Sequence, residues 1–168
     1  YASGTYTPID PTSVGKSEFF KSHESEKWAV IADTRGTLVW PETDDKNRLC
    51  LVSELAPREY LDYLKKNGIS YIAVGKKSID LKEAVRILET EFGSKRIGVV
   101  GGGHISGSFL EAGLIDEVSM VYGAGIDGRS SQPTAFEGIP ESHTVPYKLT
   151  LQSVEKVADQ SVWIRYTV

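Results

Sequence analysis

The residues best placed to do chemistry lie in one stretch, Arg96–Glu117, RIGVVGGGHISGSFLEAGLIDE. An apolar run, Ile97–Val100, leads into three glycines, Gly101, Gly102 and Gly103, and then into a helix-like segment that ends near Gly113. Strand, glycine turn and helix start in series make an anion site. The first backbone N–H groups of a helix have no intrahelical acceptor, and the helix dipole adds partial positive charge there. Glycines let a phosphate approach the backbone with no Cβ in the way. The same three glycines also suit a tight turn or close helix–strand packing, and composition alone leaves both readings open.

Other motifs narrow the choice. The dinucleotide fingerprint G-x-G-x-x-G fits at Gly101 and Gly103 but fails at Ser106, and no acidic residue ends a following strand at the required spacing. Gly75-Lys76-Lys77-Ser78 resembles the end of a P-loop, but Ser70 stands where the upstream glycine belongs. His23, His104 and His143 are scattered, no pair has metal-ligand spacing, and no metal site is expected. His104 alone adjoins the glycines. Asp116 and Glu117 read as a solvated turn before a strand. Asp33-Thr34 and Ser53 end two apolar runs, and ligands of α/β sheets gather at the carboxyl ends of strands; plain turn chemistry is the alternative.

These residues must be carried by alternating elements. Trp28–Ala32 is a strand closed by the turn signal Asp33-Thr34-Arg35-Gly36, and Thr37–Trp40 and Leu49–Val52 read as further strands around a polar loop at Asp44, Asp45, Lys46 and Asn47. Pro57 suits a first helical turn, with Tyr60, Leu61 and Leu64 on one face and Asn67-Gly68 as the stop. Tyr71–Val74 is a strand. Asp80 with Glu83 resembles a capping box before Leu81, Ala84, Val85, Leu88 and Phe92 at helical spacing. Val118–Tyr122 is a strand, Gly123–Pro146 a long loop, and Leu149–Val157 and Val162–Val168 two strands of a hairpin. The polar opening Tyr1–Ser17 reads as loop, and Phe19-Phe20 as a short segment of unassigned type. Strand–helix alternation implies parallel strands with helices on the faces, and the adjacent last strands imply an antiparallel edge. The expected fold class is a three-layer α/β sandwich with a mixed sheet, mostly parallel, with antiparallel C-terminal strands.

The 168 residues fit one domain spanning 1–168. A 40% hydrophobic and 25% charged composition is ordinary for a globular chain, and a net charge of −4 with no basic tract argues against nucleic-acid or membrane-surface roles. Cys50, the one cysteine, lies in an apolar run and reads as a buried, inert thiol, which fits a reducing cytoplasm. No apolar run reaches the length of a membrane span. An edge strand such as Val162–Val168 invites pairing, so a homodimer is expected.

Val99–Val118, VVGGGHISGSFLEAGLIDEV, resembles the signature of the dihydrofolate-reductase-like fold, and within it the reductase domain of riboflavin biosynthesis, the RibD C-terminal-like family. That signature is a hydrophobic strand, a Gly-rich turn, a small-residue helix and Gly-Leu-hydrophobic-Asp-Glu, here Gly113–Glu117. Ala32-Asp33-Thr34, Val52-Ser53 and the closing Val162–Tyr166 agree with it, so the likeness covers about residues 28–168.

The resemblance implies NADPH-dependent reduction of a small heterocyclic or carbonyl substrate, and a homodimer. Gly101, Gly102, Gly103, His104, Ile105 and Ser106 would wrap the cofactor's diphosphate and nearby ribose. Thr34 matches a cofactor contact, and Ser53 the region of the adenosine 2′-phosphate, where Lys76 would assist. The family's opening strand, with a Ser-x-Asp-Gly-Arg motif that supplies substrate and nicotinamide contacts, has no counterpart in this sequence, so no catalytic acid is assigned and the chain is expected to lack that N-terminal strand segment. The family's riboflavin enzymes often carry Glu before the glycine turn, where this chain has Val100, which cannot accept hydrogen bonds from a pyrimidine or ribose. The alternative is a non-catalytic nucleotide-binding homologue of the same fold.

Overall fold

A computed structural model describes residues 4–42, 47–158 and 160–168. The expected polar loop at Asp44, Asp45 and Lys46 therefore lies outside the described residues. The elements, in order, are β1 (Gly4–Thr5), β2 (Glu18–Phe20), β3 (Ala29–Ala32), β4 (Leu38–Val39), β5 (Arg48–Val52), α1 (Arg58–Lys66), β6 (Ser70–Ala73), α2 (Leu81–Thr90), α3 (Gly103–Glu111), β7 (Glu117–Tyr122), β8 (Thr150–Val157) and β9 (Ser161–Thr167). They fall into two compact units, Tyr1–Ile97 and Gly98–Val168.

The first unit is built on a four-stranded sheet in the order β2-β6-β5-β3. β3 runs parallel to β5 and β5 parallel to β6, while β2 is antiparallel to β6. β5 and β6 are apolar at nearly every position, as strands covered on both faces must be. Alternation sorts their side chains into two sets. Cys50, Val52, Tyr71 and Ala73 pack with Tyr60, Leu61 and Leu64 of α1. Leu49, Leu51, Ile72 and Val74 pack with Ala84, Ile87 and Leu88 of α2 and with Phe92. One helix on each face makes this unit a three-layer α/β/α sandwich, as the sequence predicts. Each fully buried Leu or Ile contributes about 1.5–3 kcal/mol. Pro57 sits at the N-cap of α1 rather than inside its first turn. Asp80 caps α2 by accepting from the Glu83 N–H, but the Glu83 carboxylate pairs forward with Arg86 instead of closing a capping box.

The N-terminal stretch is more ordered than a loop. β1 pairs with β4, Ser13 bridges Pro57, and the segment expected without a type around Phe19-Phe20 is β2, an outer strand of the main sheet. β2 is held by a partly buried ion pair. Arg58 donates to both Glu18 oxygens at 2.7 and 2.8 Å, and the Tyr71 hydroxyl donates to Glu18 Oε1 at 2.7 Å.

The second unit has α3 and an antiparallel sheet in the order β7-β9-β8. Val118, Met120, Ile164, Tyr166, Leu151 and Val154 share one face by register. On the other face Arg165 donates to both oxygens of Glu117, and Trp163 Nε1 to Ser119 Oγ. These cross-strand pairs hold β7 against β9, so β9 is the central strand of its sheet and not the edge strand expected for Val162–Val168. The predicted β8–β9 hairpin is present, with Asp159 of its turn outside the described residues.

Ile97–Val100, expected as a strand, belongs to no sheet among the described residues. Four apolar residues make a strand only when a ladder receives their backbone groups; Gly98 weakens the run further, and Val100 is fully exposed.

The Arg58 guanidinium, aided by the Tyr71 hydroxyl, holds the Glu18 carboxyl at about 2 against the opposing effect of burial. A carboxyl depressed on folding stabilises the native state above its unfolded value of about 4.3 and loses that contribution as pH falls towards 2. Urea titrations at pH 6 and pH 2.5 should therefore show a stability loss that shrinks by about 1–2 kcal/mol in Glu18→Gln, a figure discounted for the partly exposed Arg58.

Candidate functional site

The carboxyl ends of β3, β5 and β6 lie side by side in the first unit, and the turn after β3 is held from below. Asp33 is buried. Its Oδ2 accepts from the Thr37 N–H at 2.7 Å, the Leu38 N–H at 2.8 Å and the Tyr60 hydroxyl at 2.9 Å, and its Oδ1 from the Thr37 hydroxyl at 3.2 Å. Tyr60 in turn accepts from Trp40 Nε1 at 3.0 Å. Burial pushes the Tyr60 hydroxyl well above its ordinary value, so it stays a donor. Gly36 closes the turn at φ +70°, a conformation costly for other residues, and a Cβ there would strike the Tyr60 ring.

Thr34 and Ser53, named separately from sequence, are brought together. The Ser53 N–H and hydroxyl both donate to the Thr34 carbonyl, at 3.0 and 2.7 Å. Ser53 is fully buried, whereas Thr34 is half-buried and its hydroxyl finds no partner among the described residues. The next strand end continues the row: Gly75, at φ +88°, accepts from the Glu54 N–H at 2.8 Å. Lys76 and Lys77 follow it, both exposed.

In the second unit the three glycines separate into different roles. Gly101 takes φ +105°, which only glycine adopts readily, and the Gly101–Gly102 peptide is cis. Gly102 is the N-cap of α3, and a Cβ on it would meet nothing within 4 Å. The N–H groups of Gly103, His104 and Ile105, at the start of α3, have no acceptor among the described residues. Gly103 is a packing residue, since its Cβ would lie 2.5 Å from the Thr134 carbonyl oxygen. So is Gly107, one helical turn on, where a Cβ would fall on the Glu137 backbone. The segment Thr134–Gly138 crosses the helix at these two points, tied by the Glu137 N–H to the Gly103 carbonyl at 2.9 Å. Ser106 is on the buried side of α3, and the exposed His104 ring has Nε2 3.4 Å from Glu137 Oε2.

Sequence reasoning missed Asp33's anchoring role, Tyr60, Gly107 and Glu137. The spacing of Gly103 and Gly107 at i, i+4 was the available signal for a backbone crossing one helix face. Gly107→Ala should cost about 1–3 kcal/mol by overpacking, and Gly102→Ala, facing open space, should leave the thermal unfolding midpoint within about 2 °C of the parent.

Comparison with known proteins follows the same lines. The family model of the RibD C-terminal domain matches residues 3–163. A 2,5-diamino-6-ribosylamino-4(3H)-pyrimidinone 5′-phosphate reductase from Archaeoglobus fulgidus is 27% identical over 117 residues, 69% of this chain and 50% of that protein. The Aquifex aeolicus protein of the same name is 28% identical over 96 residues, 57% of this chain and 42% of its own. This chain thus spans about half the length of these relatives. Among solved structures, a pyrimidine reductase-like protein from Corynebacterium diphtheriae superimposes with a TM-score of 0.67 at 16% identity, covering 82% of this chain and 59% of the other. RibD of Acinetobacter baumannii does so with 0.61 at 22%, covering 82% and 36%. Those two likenesses carry the fold, α/β and dihydrofolate-reductase-like, and the family match carries the membership: the chain belongs to the RibD C-terminal domain family.

Proposed function

We propose that the chain serves NADPH-dependent reduction of a small heterocyclic or carbonyl substrate. One observation carries this reading: three backbone N–H groups at the start of α3 stand without acceptors behind Gly101 and Gly102, with nothing filling the space a Cβ would take at either. That is what a diphosphate needs, donors in a row, partial positive charge and close approach to the backbone. The residues present fit the cofactor. Gly101, Gly102, Gly103, His104, Ile105 and Ser106 would hold the diphosphate end. Thr34 offers a hydroxyl donor that the fold leaves unused. Ser53 acts through Thr34, because its own hydroxyl is engaged by the Thr34 carbonyl.

A bound nicotinamide supplies the hydride. The chain's own contribution is to bind and orient: the α3 N–H groups of the second unit would hold the diphosphate, and within the first unit the Asp33-anchored turn fixes the backbone that carries Thr34. The names of the relatives suggest a ribosylamino-pyrimidinone phosphate as the substrate class. Val100, fully exposed and aliphatic, is the observation favouring the second reading, a nucleotide-binding homologue without turnover. The same functional reading puts the protein in the reducing cytoplasm, where a free thiol such as Cys50 persists, and makes it a homodimer, in keeping with the exposed Tyr122, Leu151 and Val154 of the β7-β9-β8 sheet.

Fluorescence titration should show NADPH binding in the micromolar range or tighter, weakened at least tenfold in Gly102→Ala. Absence of binding by both NADPH and NADH would sink the cofactor assignment. NADPH oxidation with pyrimidine, pteridine and quinone substrates separates the reductase from the non-catalytic reading. Sedimentation at micromolar concentration should give twice the 18.4 kDa chain mass.

A further inference from the structure

We propose that Ser22, activated by His23, is an acyl-accepting nucleophile, and that the chain cleaves small activated esters with an apolar or aromatic acyl group there. The place is the amino-terminal end of the first unit's parallel strands, the opposite end from Thr34 and Ser53, and the chemistry needs no cofactor. Ser22 and His23 follow β2, Asn47 precedes β5 and Ser70 opens β6. The pairing of these strands brings the four side chains to one end of the sheet.

Their hydrogen bonds form a directed relay. Ser22 Oγ lies 2.8 Å from His23 Nδ1, and His23 Nε2 lies 3.1 Å from Asn47 Oδ1. A carboxamide oxygen only accepts, so Nε2 carries the ring proton and Nδ1 is left as the base that receives the Ser22 hydroxyl. Ser70, fully buried, accepts from the Ser22 N–H at 3.1 Å, and its Oγ lies 3.0 Å from Ser22 Oγ. With the Ser22 proton committed to His23, the Ser70 hydroxyl is the donor in that second contact. The Trp28 indole lies against the His23 ring, centroids 5.0 Å apart, and restrains its tilt. Serine hydroxyls in plain turns bond nearby backbone groups; Ser22 Oγ meets only side chains among the described residues. Nucleophile, base and a third group that orients the base are the constellation of nucleophilic catalysis.

Ser22 and His23 are half-buried, not enclosed. The N–H of His23, the residue after the nucleophile, has no acceptor among the described residues and is a donor for an oxyanion. Beside the ring an aromatic strip runs from Trp28 to Phe92, centroids 5.2 Å apart, and on to Phe19 at 6.2 Å, which is 43% exposed. That strip is the reason for an apolar acyl group. In the reaction Ser22 Oγ attacks the ester carbonyl carbon while its proton passes to His23 Nδ1. The bond from that carbon to the leaving oxygen breaks, and the departing alcohol takes the proton. Water then adds to the Ser22 ester and gives a proton to Nδ1. The bond to Oγ breaks, the acid leaves, and Ser22 recovers its proton from His23. Asn47 is a positioning residue: it holds the ring but, being neutral, stabilises the imidazolium less than a carboxylate does, so turnover is slow.

The experiment takes the whole chain with p-nitrophenyl phenylacetate as substrate and phenylmethylsulfonyl fluoride as covalent probe. The parent should release p-nitrophenolate in a burst of about one equivalent before slower turnover. The sulfonyl adduct should map to Ser22 by peptide mass spectrometry, and Ser22→Ala should lose both burst and adduct. His23→Gln, with its fold checked by circular dichroism, should slow sulfonylation about 100-fold. The parent's rate should climb with pH across the imidazole range, about 5 to 8. Asn47→Asp should move that climb to higher pH, because a carboxylate beside Nε2–H favours the imidazolium. Adducts confined to lysines or tyrosines, or none, overturn the proposal. So does labelling of Ser22 at one rate in the parent, in His23→Gln and in the urea-unfolded chain. The pH profile of the parent depends on no variant's folding, and a flat one also overturns it.

Discussion

A buried carboxylate governs the first unit. Removing Asp33 from water is costly unless its oxygens are satisfied, and here four donors satisfy them, two from backbone N–H groups of the following residues and two from the hydroxyls of Thr37 and Tyr60. Those donors come from two directions. The backbone ones force the chain after β3 into a tight return. The tyrosine ties that return to the first turn of α1 and, through Trp40, to the segment that follows β4. The turn bearing Thr34 and Arg35 is therefore a rigid outgrowth of the core. A buried charge is usually a weak source of net stability; its effect here is to specify one geometry for a surface turn.

The elements that were legible in the sequence are those whose own residues decide them. α1, α2, β5 and β6 announce themselves by apolar spacing and by stop signals such as Asn67-Gly68, and the structure places them within a residue or two. The strands β1 and β2 were not legible, because two or three residues carry no period and their existence depends on partners far along the chain. Ile97–Val100 failed for the complementary reason. Its residues look like a strand, but strand is a property of a ladder, and none receives it among the described residues. β9 was recognised as a strand but misplaced as an edge, since the pairing of Glu117 with Arg165 and Ser119 with Trp163 cannot be read from either strand alone.

The candidate site shows the same division. Thr34, Ser53 and the glycine run were visible because strand ends and glycines are local signals. Their roles were not, because those depend on what lies opposite. Ser53 turned inward to support Thr34. The three glycines, alike in sequence, serve three ends: a left-handed backbone at Gly101, open space at Gly102 and a crossing segment at Gly103. Glu137 stands about thirty residues from the glycine it packs on, inside a loop with no period of its own, and only the repeat of glycine at 103 and 107 hinted that anything crossed there.

Cys50 gives the architecture a use of its own. It lies in the middle of β5, fully buried, 4.0 Å from the Tyr60 hydroxyl, and burial lifts its thiol far above the ordinary range. The thiolate is the reactive species, so the closed molecule is inert to alkylating reagents and only an opened one reacts. Since this is the chain's one cysteine, its labelling rate is a built-in clock for the opening of the sandwich around β5. Any ligand that clamps the neighbouring turn must slow that clock, and so occupancy of the strand ends can be timed at a single sulfur atom without a chromophore on the ligand or turnover of a substrate.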